Sequence, residues 1–272
     1  MKKWRFIDTG EDTCYSNMAI DEALFQAYDA SCSMPILRIY KWSPPAFSIG
    51  ISQDPAIEFD FKECDISGVG FVRRMTGGGI IFHDNELTYS IICSEKDIEG
   101  AYFAKEVYRT LCSFLIEAYR AMGISAEFSL RADKAPKSGW VCFKQKERYD
   151  IVIGDKKIGG NAQRRKRDLI FQHGSIPLQL SPERYQRFLK NKKVLDEDDA
   201  CSLSQALKRD VGYDELRKNL LIAFKSSFNA ELVYDTLAPA EQSLRNYLIK
   251  SKYSTKEWNF FKHADSAKAF VA

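Results

Sequence analysis

Apolar residues recur along this chain with two different periods, and the switches between them mark out its elements. The stretch Ile36–Trp42 alternates and is β-branched at two positions, which predicts a strand that Pro44-Pro45 then breaks. Further strand-like runs cover 4–7, 46–51, 71–72, 80–82, 86–93, 149–153, 157–158 and 169–172, with another over 175–180 beyond His173-Gly174. Helical spacing appears over 17–28, where Ile20, Ala23, Leu24 and Ala27 fall at i, i+3, i+4 and i+7. It appears again over 103–122 through Val107, Leu111, Phe114 and Ala118, and Gly123 supplies the stop. Residues 129–148 are polar and read as a long loop. After Pro182 the pattern turns helical over 183–190, 213–228 and 239–250, with the acidic run 196–199 between them as a solvated loop. No internal repeat is visible. The prediction is an α+β fold: a mixed β-sheet domain over residues 1–250, whose part from 181 to 272 is a small, mainly helical annex.

Composition narrows the class. A chain of 272 residues with 45% hydrophobic positions can bury roughly three-quarters of its unfolded surface without staples or metals. The 13% aromatic content excludes disorder as the main state. Forty basic and 37 acidic residues leave a net charge of +3, too little for a nucleic-acid coating protein. The apolar runs are too short for a signal peptide or a membrane span. Seven cysteines, with no C-x-x-C pair and only three histidines, make neither a disulfide framework nor a structural zinc site. These features predict a reduced cytoplasmic protein with no nucleic-acid, membrane or metal partner.

Four segments carry candidate chemistry. The first runs from Arg73-Arg74 through Met75, Thr76 and Gly77-Gly78-Gly79 to His83-Asp84. Three adjacent glycines inside a strand pattern are costly unless the backbone is strained or something comes very close. Free N–H groups beside two arginines suit a carboxylate or phosphate ester, although the spacing is that of neither a dinucleotide nor a Walker loop. A plain glycine-rich hairpin is the alternative, and His83-Asp84 is either an acid–base pair or a loop-ordering contact. The second segment is Lys157-Ile158-Gly159-Gly160-Asn161, where a strand-edge lysine precedes small residues that let a ligand approach; an exposed turn is the alternative. In this context Lys157 is expected to meet ligand and not core, and a side chain at Gly78 to fill ligand space. The third is Cys142, in a lysine-bearing loop that favours its thiolate, as a nucleophile or as an anchor between Trp140 and Phe143. The fourth is the basic run from Arg164 to Arg167, either a solvated hairpin tip or a landing site for an acidic partner.

Taken together, these segments resemble the lipoate and octanoate attachment family, which shares its fold with biotin protein ligases. The likeness spans residues 16–262. Besides the glycine and lysine segments it includes Asn17-Met18-Ala19-Ile20-Asp21, Leu37-Arg38-Ile39-Tyr40-Lys41-Trp42, Glu86-Leu87-Thr88-Tyr89-Ser90, Gln172-His173-Gly174-Ser175, Lys252-Tyr253 and Glu257-Trp258-Asn259. The resemblance implies a tunnel for an eight-carbon acyl chain, with Arg73, Thr76, Gly77, Gly78, Gly79 and His83 at the acyl or acyl-adenylate site, together with Gly159, Gly160 and Asn161. It implies that Lys157 lies at the reacting carbonyl.

Two activities share these motifs. One transfers octanoate from octanoyl acyl carrier protein, through a cysteine thioester, to a lysine of a lipoyl carrier domain such as the glycine cleavage H protein, and needs no cofactor. The other is ligation of free lipoate through an adenylate, with ATP and magnesium. Cys142-Phe143, then Tyr149-Asp150, then Lys157 match the transferase spacing and make Cys142 and Lys157 its catalytic pair; Asp150 in place of glutamate leans toward the ligase pattern. A non-catalytic carrier-docking module is the third reading.

Overall fold

The computed structural model describes residues 1–98, 103–130, 149–190 and 200–263. The chain opens with β1 (Lys2–Asp12), α1 (Cys14–Ala27), β2 (Ile36–Trp42) and β3 (Ala46–Ile49). Two short helices, α2 (Pro55–Glu58) and α3 (Phe61–Ile66), lead into β4 (Gly70–Arg73), β5 (Ile80–His83) and β6 (Glu86–Ser94). Then come α4 (Ala104–Ala121), β7 (Glu127–Phe128), β8 (Ile151–Ile153), β9 (Lys156–Ile158), β10 (Gly160–Lys166) and β11 (Leu169–Pro177). The last part holds α5 (Pro182–Gln186), β12 (Ala200–Cys201), α6 (Leu203–Leu207), α7 (Tyr213–Ser227), β13 (Ala230–Asp235), α8 (Pro239–Leu248), a π-helical turn Ile249–Tyr253 and α9 (Lys256–Phe261).

Six strands form the main sheet in the order β10-β11-β6-β2-β1-β13. It is mixed: β1 runs parallel to both β2 and β13, whereas β2, β6, β11 and β10 pair antiparallel in turn. Every residue of β6 is buried, because helices cover both faces of the sheet there. On one face, α4 presents Val107, Leu111, Phe114 and Leu115 to Leu87, Ile91 and Phe224 of α7. On the other, α1 packs Ile20, Leu24 and Phe25 against Ile36, Ile92 and Phe171. Thr13 caps α1 by accepting the Ser16 N–H, which fixes where that helix enters the sheet face. A three-stranded sheet, β4-β3-β5, lies beside α1. The order β12-β9-β8-β7 makes a third sheet. No helix among the described residues is long and apolar enough to cross a membrane.

Three differences from the sequence pattern have physical causes. The two strands expected around His173-Gly174 are the single strand β11, since Gly174 is there to admit a neighbour: a Cβ on it would lie 2.0 Å from Asn161 Oδ1. β10 is an edge strand of polar sequence, so alternation does not reveal it. β13 lies in the part read as a mainly helical annex, between the helical stretches 213–228 and 239–250, and completes the sheet beyond β1. The acidic run 196–199 lies outside the described residues.

Candidate active site

A narrow cavity opens between the α1 face of the main sheet and the small sheet. Its empty volume is about 340 Å³, mouth included. Gly160, Asn161 and Ala162 of β10 and His173, Gly174 and Ser175 of β11 line one side of it. Met18 of α1, Thr88, Trp42, Ser48, Ile81, His83 and Arg74 complete the wall.

Of the expected site residues, His83, Gly160 and Asn161 line this cavity. His83 is buried, with Nδ1 2.7 Å from Glu86 Oε1 and Nε2 2.7 Å from Ser48 Oγ. Its carboxylate partner is therefore Glu86 and not its neighbour Asp84, which pairs with Arg184. Asn161 Oδ1 accepts the Tyr89 hydroxyl at 2.8 Å. Thr76 is buried beside the wall and meets His173 Nε2 at 2.7 Å.

Arg73 and the glycines stand elsewhere. The Arg73 guanidinium donates to the carbonyls of Gly50, Ile51 and Gln53, and to those of Trp258 and Asn259 in α9. With its donors spent on backbone, it ties α9 to β4 and does not line the cavity. The cavity-facing arginine is Arg74, whose guanidinium also donates to Gly77 O and Gly79 O at 2.8 Å each. That grip holds the glycine loop by its carbonyls. Gly77 and Gly78 are exposed and outside the cavity lining, and Gly78 has φ +92°. A valine at Gly78 would thus strain the backbone and not fill the cavity. Gly50 packs against the loop, where an added Cβ would lie 2.0 Å from Gly78 O.

Lys157 is buried, and its Nζ lies 2.7 Å from Asp150 Oδ2. The expectation of an ammonium that meets ligand and not core needs correction, because the lysine is half of a buried ion pair. The chain reaches the cavity three residues later, at Gly160. Gly159 makes that step with φ +76°, and a Cβ there would lie 2.4 Å from Ser175 O. Gly159→Ala is expected to cost about 1–3 kcal/mol of stability from the strained backbone. It should also lower activity by displacing β10 from β11; thermal unfolding and rate measurements check both.

Sequence spacing did not reveal the network below the cavity. Asp21 Oδ1 accepts Arg38 Nη1 at 2.7 Å and the Ser90 hydroxyl at 2.8 Å, and Oδ2 accepts the Tyr40 hydroxyl at 2.9 Å. His173 Nδ1 stands 3.7 Å from the same carboxylate. Burial alone would raise the Asp21 pKa, but Arg38, His173 and Ser90 outweigh it and hold the carboxyl below its usual range. Burial pushes the His173 pKa down, against the opposing pull of Asp21. The available signal was a charged residue inside an apolar period: Asp21 between Ile20 and Ala23, and Arg38 between Leu37 and Ile39.

The family model for the lipoyl protein ligase A/B catalytic domain matches residues 13–225. The chain belongs to the lipoyl protein ligase A/B catalytic domain family. Among its relatives, the octanoyltransferase LipM of Bacillus subtilis strain 168 is 34% identical over 278 residues, covering 94% of this chain and 98% of that one. Lipoate-protein ligase A solved with bound ATP superposes with a TM-score of 0.79 at 24% identity, over 96% of this chain and 99% of the other. A T. acidophilum protein with bound lipoic acid gives the same TM-score at 25% identity, over 96% and 99% of the two chains. The α+β architecture with mixed sheets is thus the family fold. Within this family member Cys142 lies outside the described residues. No group of three metal-ligating side chains occurs among the described residues.

Proposed function

We propose that this protein is an octanoyltransferase of protein lipoylation, which moves an octanoyl group from acyl carrier protein to a lysine of a lipoyl carrier domain. The observation that carries the reading is a narrow cavity of largely apolar lining that includes Gly160, three residues after Lys157 of the buried Lys157–Asp150 pair. Likeness to an octanoyltransferase across 94% of the chain supports it.

In this mechanism the Cys142 thiolate attacks the octanoyl thioester carbonyl. A C–S bond to Cys142 forms, the C–S bond to the carrier's thiol breaks, and that thiol leaves with a proton. The carrier lysine amine then attacks the enzyme thioester, an amide forms, and Cys142 departs as thiolate. Lys157, as an ammonium, favours the thiolate and assists proton transfer, and Asp150 fixes the position of its Nζ. Thioester to amide is downhill, so the step needs no ATP. Intact-mass analysis tests the reading. Octanoyl carrier protein alone should load the enzyme and then the lipoyl domain, whereas product formed only with lipoate, ATP and magnesium would make the protein a ligase.

The basic run has two parts. Arg164 donates to Met75 O at 2.9 Å and Arg165 pairs with Glu95, so these two belong to the fold. Lys166 and Arg167 are exposed at the β10–β11 turn and are free to attract an acidic carrier domain. Neutralising both is expected to slow carrier modification at low salt, with the difference fading as the screening length falls to ~8 Å. Equal rates at low salt would leave the run as solvated surface.

A further inference from the structure

Glu86 stands behind the cavity wall and does not line it. Its carboxylate is fully engaged. Oε1 accepts His83 Nδ1 at 2.7 Å and also the Thr88 hydroxyl, and Oε2 accepts the Ser175 hydroxyl. Thr88 Oγ1 in turn accepts the Trp42 indole N–H at 2.7 Å. The Trp42 and His83 rings stack with centroids 3.8 Å apart and 9° between planes. The contacts close on themselves: Trp42 to Thr88, Thr88 to Glu86, Glu86 to His83, and His83 back onto Trp42. Ser48 holds the other imidazole nitrogen and itself accepts from Arg74 at 3.2 Å. Two flat rings are thereby fixed in place and in tilt.

Strand register shows where this stacked pair stands. Gly160, Ser175, Thr88 and Tyr40 lie side by side on β10, β11, β6 and β2. The cavity lining follows that row from Gly160 through Ser175 to Thr88, two strand spacings or on the order of 10 Å, and Thr88 holds the Trp42 indole there. Gly160 is the end next to Lys157, so the Trp42–His83 stack is the far wall. Behind the wall lies a second, polar recess bounded by Phe82, Asp84, Asn85, Pro177 and Gln179, and Glu86 borders it too. Glu86 thus stands between the two spaces.

We propose that Glu86 is a positioning residue that sets the acyl length the enzyme accepts, by clamping the His83–Trp42 wall and separating the acyl cavity from the polar recess. This rests on the acyl-transfer reading above. A chain longer than the cavity must push against rings held by hydrogen bonds at both His83 nitrogens and at the indole N–H. Without Glu86 the wall loosens and the recess is open to the chain end.

The test compares octanoyl and dodecanoyl carrier proteins as donors, and octanoate and dodecanoate as ligands in calorimetry. The wild type is expected to favour eight carbons over twelve by about tenfold or more, the scale for a pocket that rejects excess methylenes. Glu86→Ala should lose most of that ratio, chiefly through gain on dodecanoyl. Glu86→Gln should keep it, since its amide oxygen still accepts from His83 and Thr88 while the Ser175 hydroxyl turns to accept the amide N–H. Thr88→Val keeps the volume but removes both of its hydrogen bonds, and should shift the ratio the same way if Glu86→Ala fails to fold. A wild type with no length preference overturns the proposal. So does an unchanged ratio in Glu86→Ala or Thr88→Val, or an equal loss in Glu86→Gln. A wild type that binds octanoate but transfers nothing would sink the transfer reading, while the binding ratio still decides the role of Glu86.

Discussion

Cys142→Ser is expected to reduce octanoyl transfer to background, because a serine alkoxide is far harder to form near neutral pH than a thiolate. In the wild type, octanoyl carrier protein alone should leave one octanoyl group on Cys142, visible as a mass increment and removed by hydroxylamine. The other thiols are poor competitors for that label. Cys14, Cys64, Cys93, Cys112 and Cys201 are all buried. Burial pushes Cys14 and Cys112 up to about 12 and Cys201 up to about 11, and it raises Cys93 as well. Cys32 is exposed and needs its own control, and Cys32→Ser should transfer at the wild-type rate. A Cys142→Ala enzyme that joins lipoate to a carrier as fast as wild type, strictly with ATP, would establish the ligase instead.

Lys157→Ala should lose both activity and stability. The activity loss is expected at ~10²–10⁴-fold, the size of a proton-transfer contribution. The stability loss follows from the 2.7 Å contact with Asp150, since removing one member of a buried ion pair costs about 3–5 kcal/mol. Adding Asp150→Ala to Lys157→Ala should recover part of the melting temperature and none of the rate. A rate above about a tenth of wild type in Lys157→Ala would remove the lysine from the centre of the reaction, and an unshifted melting point would show that the pair does not hold β8 to β9.

The helices α4 and α7 were legible because each buries one stripe, and β2 and β6 because their apolar runs are nearly continuous. Ile36–Trp42 was located to its last residue, and α4 followed from Val107, Leu111, Phe114 and Ala118 with Gly123 at φ +87° after it. The edges were not legible. β10 carries Asn161, Gln163 and Arg165 on a partly exposed strand, and a polar edge has no period that hydrophobicity can show. The cavity draws on the segments that the sequence motifs single out, but not always on the residue named in them. Arg73 and Arg74 are adjacent in an extended backbone, so their side chains take opposite directions: one reaches α9, the other the cavity. Which of two such neighbours faces inward depends on the partner sheet, which sequence spacing alone does not contain. The Glu86–His83 contact was hidden in the same way, as His83 turns toward a residue three positions on and away from Asp84.

The pairing of β1 with β13 dictates an order of assembly. Lys2 lies opposite Ala230 and Ile7 opposite Asp235, so β1 waits for a strand made much later in synthesis. Until then β1 presents an open edge, a form of chain prone to mispairing. Contacts this distant in sequence close slowly. The tie from Arg73 to Trp258 and Asn259 arrives later still, with residues that lie beyond the 13–225 span of the family match. A nascent chain stopped at residue 229 would hold every residue lining the cavity, yet would lack both the strand that seals its sheet and the helix that anchors β4. Residues made late in synthesis are therefore the ones that let earlier ones settle.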